Sequence, residues 1–260
     1  MKMFNKALIT VLAVAFASNF AGPATAYAAA SLPELDTAAS FSVLASPSMS
    51  AASTGTVVSR NLGLSVGLEA SRTGTWVVGG TQHFGATSLA NTARTDALNA
   101  FNDLAGQGTS GVWEGTPWSP APGVWTVASD TTFTGTITLD GGYDDVWVFQ
   151  VGRDMIFSGS VIMAGTAQPC HVFWQIGRDA TIASGSTFAG TLIAQRDITV
   201  VSNATVDGRI LSLDGALTTD RNNISGPTCT AAPTTTGSIT ITKTAVSGNG
   251  IFNFTGTGSK

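Results

Sequence analysis

The chain has 260 residues and a mass of 26.4 kDa, so small side chains dominate, 30 glycines among them. Charged residues make up 11% against 43% hydrophobic, with a formal net charge of −4 and a mean hydropathy of +0.24. The acidic balance argues against nucleic acid as a partner, and low charge combined with high hydrophobicity is the reverse of a disordered composition. There are 37 threonines, and this excess of a β-branched residue points to strands rather than helices.

Lys2 and Lys6 precede an apolar run from Ala7 to Ala17 and the small-x-small triplet Ala26-Tyr27-Ala28. This is the pattern of a secretory signal over residues 1–28, cut after Ala28. The run falls short of the roughly 20 apolar residues a bilayer span needs. The expectation is a secreted, extracellular protein with no membrane partner, acting as a monomer. Export fixes the reading of the two cysteines, Cys170 and Cys229, as one disulfide closing a long loop, with two free thiols as the other reading.

Further along, Thr54 to Val57 and the alternation through Ser65 look like one coil of a repeating β structure. A helix is predicted near residues 88–105, with Ser88 as N-cap, Leu89, Ala93, Ala97, Phe101 and Leu104 as its apolar stripe, and its end before Gly106. Trp113, Trp118 and Trp125 flank a Pro-rich loop that should cap an open end of the fold; sugar stacking is the alternative.

Internal repeats decide the architecture. From Asp130, Asp154, Asp179 and Asp197, a glycine falls eleven residues later each time, at Gly141, Gly165, Gly190 and Gly208. The third position of each copy holds Phe133, Phe157, Ile182 and Val200, and the ninth holds Leu139, Met163, Phe188 and Val206, so both columns are expected to face inward. Gly215 to Gly226 fits as a degenerate fifth copy. Each copy is preceded by another apolar strand, at Val146 to Val151, Val172 to Ile176 and Leu192 to Ala194. One copy cannot bury its own face, so the copies should stack as coils of a parallel β-solenoid, mainly β in class, with the helix alongside. The solenoid is assigned to residues 29–229, a Pro/Thr linker to 230–237 and a short β segment to 238–260.

The outward columns are mostly threonine. The eighth position carries Thr138, Ile162, Thr187, Thr205 and Asn223; the second carries Thr132, Ile156, Thr181 and Thr199. Stacked coils place equivalent side chains about 4.8 Å apart, and residues two apart on a strand about 6.6 Å, so a flat face is a two-dimensional lattice. Threonine gives each lattice point a hydroxyl and a methyl in few rotamers. The pairs Arg153-Asp154, Arg178-Asp179 and Arg196-Asp197 are expected to stack as a structural ion-pair ladder at a coil corner, with a calcium ladder as the alternative, opposed by the spacing and the missing Gly-rich nonapeptide. His83 and His171 offer no metal-ligand spacing, and no nucleophile, paired-acid or cofactor motif occurs.

Leu44 to Pro47, Gly79 to His83, the helix at Ser88, Gln168 to Gly177 and Thr187 to Ala194 together resemble the ice-binding (antifreeze) proteins of cold-adapted microbes, over roughly Leu35 to Pro227. The resemblance implies a discontinuous right-handed β-solenoid of triangular section with one long helix packed alongside, an ice surface as partner, and neither enzymatic activity nor cofactor or metal. The family's surface motif, Thr-Ala/Gly-x-Thr/Asn, is approximated by Ser184-Gly185-Ser186-Thr187 and Ser202-Asn203-Ala204-Thr205. The expected ice-contacting residues are therefore Thr136, Thr138, Ser160, Ser184, Thr187, Ser202, Thr205 and Asn223, with Thr54, Thr132, Thr181 and Thr199 ranked behind them. A cell-surface adhesin and a polysaccharide-cleaving β-helix enzyme are the alternatives from other classes.

Overall fold

The computed structural model describes residues 29–52, 55–113, 115, 117–227, 229 and 230. The signal segment at 1–28, the tail assigned as linker and β segment beyond Thr230, and Thr54 lie outside the described residues. Short runs of alternating apolar and polar residues, separated by turn residues, give nineteen strands among the described residues, all paired in parallel in one continuous wound sheet. The windings form three faces, A, B and C, visited in that order by each coil.

Face A runs through Gly123–Val127, Trp147–Val151, Val172–Ile176, the second half of Thr187–Ala194, the second half of Thr205–Ser212, Phe41–Ala45, Asn61–Leu64 and Gln82–Phe84. Face B runs through the first part of Thr131–Gly141 and of Met155–Gly165, then Ala180–Ile182, Ile198–Val200, Leu217–Thr219, Met49–Ala51 and Arg72–Thr73. Face C takes the remainder of the two long strands, then Thr187, Thr205, Asn223–Ile224, Thr56–Val58 and Trp76–Val78. The coils are thus not stacked in chain order. The five made by residues 123–224 come first along the axis, and the two made by residues 41–78 sit on the fifth.

The helix, Leu89–Gly106, carries the chain back from one end of the stack to the other. Its 18 residues span about 27 Å, close to the roughly 29 Å of seven coils spaced about 4.8 Å apart. Ala90, Ala93, Ala97, Ala100, Phe101 and Leu104 are buried against Phe41, Leu44, Val124, Val148, Phe173, Ile193 and Leu211 of face A. Under the helix the face A strands are therefore largely apolar on both sides, as strands covered on both sides tend to be. Small helix residues let the helix come close: a Cβ on Gly63 would lie 2.8 Å from the Ala90 Cβ. One expectation fails here. Leu89 is exposed rather than part of the apolar stripe, because the buried arc is centred on the alanines. Ser88 occupies the N-cap position, yet its hydroxyl donates to the Gly85 carbonyl and makes no cap to the helix N–H groups. At the other end, Gln150 Nε2 donates to the Leu104 and Gln107 carbonyls, at 2.6 and 3.0 Å, joining the Gln107 N–H, which donates to the same Leu104 carbonyl at 3.3 Å, in closing the helix end.

Inside the prism, Phe133, Phe157, Ile182 and Val200 are buried as expected. Trp174 anchors the core, stacked on Phe149 at 4.1 Å with its indole N–H on the Ala189 carbonyl. Trp113 packs on Phe133, and Trp118 on Trp125 and Phe149, so these rings close the end of the stack at residues 123–141.

The A/B corner repeats one device. Asp130, Asp154 and Asp179 each accept the backbone N–H of the aspartate in the next coil, and Asp197 accepts that of Ala216, at 2.8–3.2 Å. Arg153, Arg178 and Arg196 pair with Asp130, Asp154 and Asp179 at 3.0, 3.5 and 3.9 Å. Asp197 faces Ala216, so the fifth copy is anchored one residue later than the sequence suggested with Gly215. Close approach is needed at the C/A corner too, where a Cβ on Gly208 would lie 1.7 Å from the Gly190 carbonyl oxygen.

Gly208→Ala should cost about 2–3 kcal/mol by overpacking, a fall of about 5–10 °C in thermal midpoint for a chain of this size. The hydrogen bond from the Asp154 N–H, aided by Arg153, holds the Asp130 carboxyl below the usual carboxylate range against the opposing effect of desolvation. A lowered pKa in the folded state means a contribution present above the unfolded value, about 3.9, and lost as pH falls through the folded one. The thermal midpoint should drop on acidification below about pH 4. Asp130→Asn, which keeps an acceptor but cannot titrate, should show a shallower drop in the same scan.

Candidate functional site

With face A under the helix, faces B and C carry the outward side chains. On face B the strand register aligns Thr132, Ile156, Thr181, Thr199, Thr218, Ser50 and Thr73 in one row, one residue per coil over seven coils. All are exposed or half-buried. Ser50 Oγ lies 3.5 Å from Thr218 Oγ1, so neighbouring rungs are near hydrogen-bonding distance. The second row of this face begins with Thr134 and Ser158. Among the described residues, the ionised groups along its two corners are the Asp/Arg ladder on the A/B side and Asp220 with Arg221 on the B/C side, while Arg72 lies in the last strand of the face, over the Phe84 ring.

Face C carries a row of Thr136, Ser160, Thr187, Thr205, Asn223, Val57 and Val77. This corrects the expected alignment, which set Thr187 above Ile162 and Thr138. The ladder pairs Thr187 with Ser160, two residues earlier. The cause is the B/C corner: the first two coils cross it inside an unbroken strand of 11 residues, whereas later coils add a turn at 183–186 and 201–204. By the same shift Phe188 and Val206 continue the Ile137–Val161 column, and Leu139 and Met163 form another. Thr138 and Ile162 belong to a second row that includes the exposed Asp207, whose carboxylate accepts the Ser225 hydroxyl at 3.2 Å.

The two motif-like segments build those added turns. Ser184 and Ser202 lie on the B/C edge, the Ser184 hydroxyl donating to the Ser202 carbonyl at 2.8 Å. Gly185 and Asn203 occupy the left-handed region, at φ +68° and +60°, and asparagine is among the few side-chain-bearing residues that tolerate it. Asn203 therefore fills the motif's Ala/Gly position without breaking the turn. Ser186 and Ala204 point inward and are buried. In the fifth copy Asn222 takes the inward position, 2% exposed, and its amide satisfies the Val201 carbonyl at 2.7 Å.

Thr218, Ser50 and Thr73 were missed from the sequence. The Gly215 anchor put Leu217 in the row that Thr218 occupies, and Ser50 meets Thr218 across 168 residues of chain. The alternation Met49-Ser50-Ala51 and the Thr218-Thr219 pair carried the signal, but not its place in the stack.

Cys170 and Cys229 form a disulfide with a sequence separation of 59. With Gln168, which accepts the Thr230 N–H at 2.6 Å, and Arg60, which donates to the Pro227 carbonyl at 3.0 Å, it ties the segment 227–230 to the C/A edge. Cys170, His171 and Cys229 have ligand-type atoms within 4.8 Å of one another, but the disulfide occupies both sulfurs, leaving no thiolate for a metal. Nearby on face A, Arg209 is 6% exposed and donates to the Ala39 carbonyl and the Thr191 hydroxyl. Burial, reinforced by Arg60, pushes its guanidinium down to about 10. It stays charged at neutral pH and bolts the lead-in of the first-made coil to the fifth of the stack. No helix among the described residues is long and apolar enough to cross a membrane.

This geometry has counterparts among known proteins. Residues 43–225 match the family model described as ice-binding-like. An ice-binding protein of Nostoc sp. (strain HG1) is 32% identical over 86% of this chain and 84% of its own length. One from Colwellia sp is 29% identical over 54% of this chain and 58% of its own. Among solved structures, an ice-binding protein from an Antarctic biological consortium is similar with TM-score 0.70 and 27% identity, covering 75% of this chain and 91% of that one. Another, from the ascomycete Antarctomyces psychrotrophicus, has TM-score 0.68 and 27% identity over 75% of this chain and 98% of that one. The relatives are named for ice binding rather than for a reaction, and on the match over 43–225 this chain belongs to the ice-binding-like family.

Proposed function

We propose that this protein is exported, works as a monomer outside the cell, and adsorbs to ice through face B, producing thermal hysteresis and inhibiting recrystallisation without chemistry or cofactor. Family membership supports ice as the partner. The observation that carries the choice of face is the seven-coil row from Thr132 to Thr73, in which every rung is uncharged and all but Ile156 bear a hydroxyl. Fixed backbone spacing and the few rotamers of threonine hold methyls and hydroxyls in a stiff array. Water ordered on such an array joins a crystal with little further loss of freedom, because the protein side has little left to lose.

Face C is the weaker candidate on physical grounds. Its row turns apolar at Val57 and Val77, and Asp207 sets a strongly hydrated carboxylate in the neighbouring row. The segment 227–230, pinned by Cys229 and Pro227, also lies along its C/A edge. The sequence-based order of preference is thereby reversed: Thr132, Thr181 and Thr199 move ahead of Thr136, Thr138, Ser160, Thr187, Thr205 and Asn223, while Ser184 and Ser202 stay as the rim of face B.

Thr181→Tyr or Thr199→Tyr should remove most thermal hysteresis and recrystallisation inhibition with an unchanged thermal midpoint, since the ring lifts the array off the crystal without entering the core. Thr187→Tyr and Thr205→Tyr should retain most of both. Nanolitre osmometry and splat-cooling assays on the four variants decide between the faces, and the opposite pattern would transfer the site to face C.

A further inference from the structure

Coil two interrupts the row on face B. At the position where neighbouring coils place Thr132 and Thr181, the strand Met155–Gly165 presents Ile156, 46% exposed and aligned with both threonines by the backbone ladder. Its side chain is not recruited to the core, which this strand serves through Met155 and Phe157, each 1% exposed. Isoleucine matches threonine in β-branching and strand preference. What it changes is chemistry: an ethyl arm stands where a hydroxyl would be, so a water over that lattice point loses its protein hydrogen-bond partner. The same coil carries a second exposed isoleucine, Ile162, on face C. No other rung of the face B row is apolar.

We infer that Ile156 limits the strength of ice adsorption by cutting the hydroxyl array into an isolated Thr132 and a working patch of five rungs, Thr181, Thr199, Thr218, Ser50 and Thr73. This deepens the reading of face B as the ice-contacting surface and rests on it. Continuous hydroxyl contact extends over about 19 Å from Thr181 to Thr73, at about 4.8 Å per coil, and a hydroxyl at position 156 would extend it to about 29 Å. The residue sits on an exposed strand between two threonines, so the backbone already accepts threonine there.

The test is thermal hysteresis at equal protein concentration for the wild type, Ile156→Thr, Ile156→Val and Thr199→Tyr, each checked for an unchanged circular dichroism spectrum and thermal midpoint. Ile156→Thr should raise hysteresis by about 1.4-fold, the ratio of seven contiguous rungs to five if adsorption scales with contact area. Ile156→Val, which shortens the arm without adding a hydroxyl, should give no comparable gain. An unchanged or lower value for Ile156→Thr, or an equal gain for Ile156→Val, overturns the inference. If that happens while Thr199→Tyr still abolishes activity, only the inference falls; if Thr199→Tyr retains full activity, the face B reading falls with it.

Discussion

The parallel backbone ladder that runs the length of the prism is the constraint from which the other features follow. It sets a repeat of about 4.8 Å that no side chain has to maintain, and it places like positions of successive coils in rows. A row is only as regular as the register beneath it. The unbroken pairing of face B, coil after coil, gives one rung per turn, whereas the turn inserted at 183–186, and matched at 201–204 in the next coil, shifts face C by two residues between the second and third coils.

The stack is closed without covalent continuity between its fifth and sixth coils. Backbone pairing from Val43 to Ile210, from Met49 to Leu217 and from Val57 to Asn223 makes the joint. Arg209 and Arg60 reinforce it through the Ala39 and Pro227 carbonyls. The helix makes this arrangement reachable, because its length matches that of the stack it must traverse. Its alanines allow close packing against face A, and in doing so they leave B and C as the open walls.

Among the described residues, charge on face B is kept to its corners and to Arg72 in its terminal strand. The aspartates at the A/B corner spend their carboxylates on backbone N–H groups and arginines of adjacent coils, so hydration of those ions is held at the rim. Such exposed pairs add little individually; their effect is positional. Asp207 on face C has no such corner to occupy.

The sequence by itself determined the repeat, the inward columns at Phe133, Phe157, Ile182 and Val200, the helix to within a residue at each end, and the hydroxyl-rich character of the outward positions. These follow from local periodicity, which is written in consecutive residues. The tertiary structure alone decided the order of the coils, the pairing of Ser50 with Thr218, the alignment of Thr187 with Ser160 rather than Ile162, and the buried arc of the helix that excludes Leu89. Each depends on how far a turn advances the chain or on which coil stacks upon which. Those choices are made by packing and pairing between segments up to 168 residues apart, and no short-range pattern in the chain encodes them.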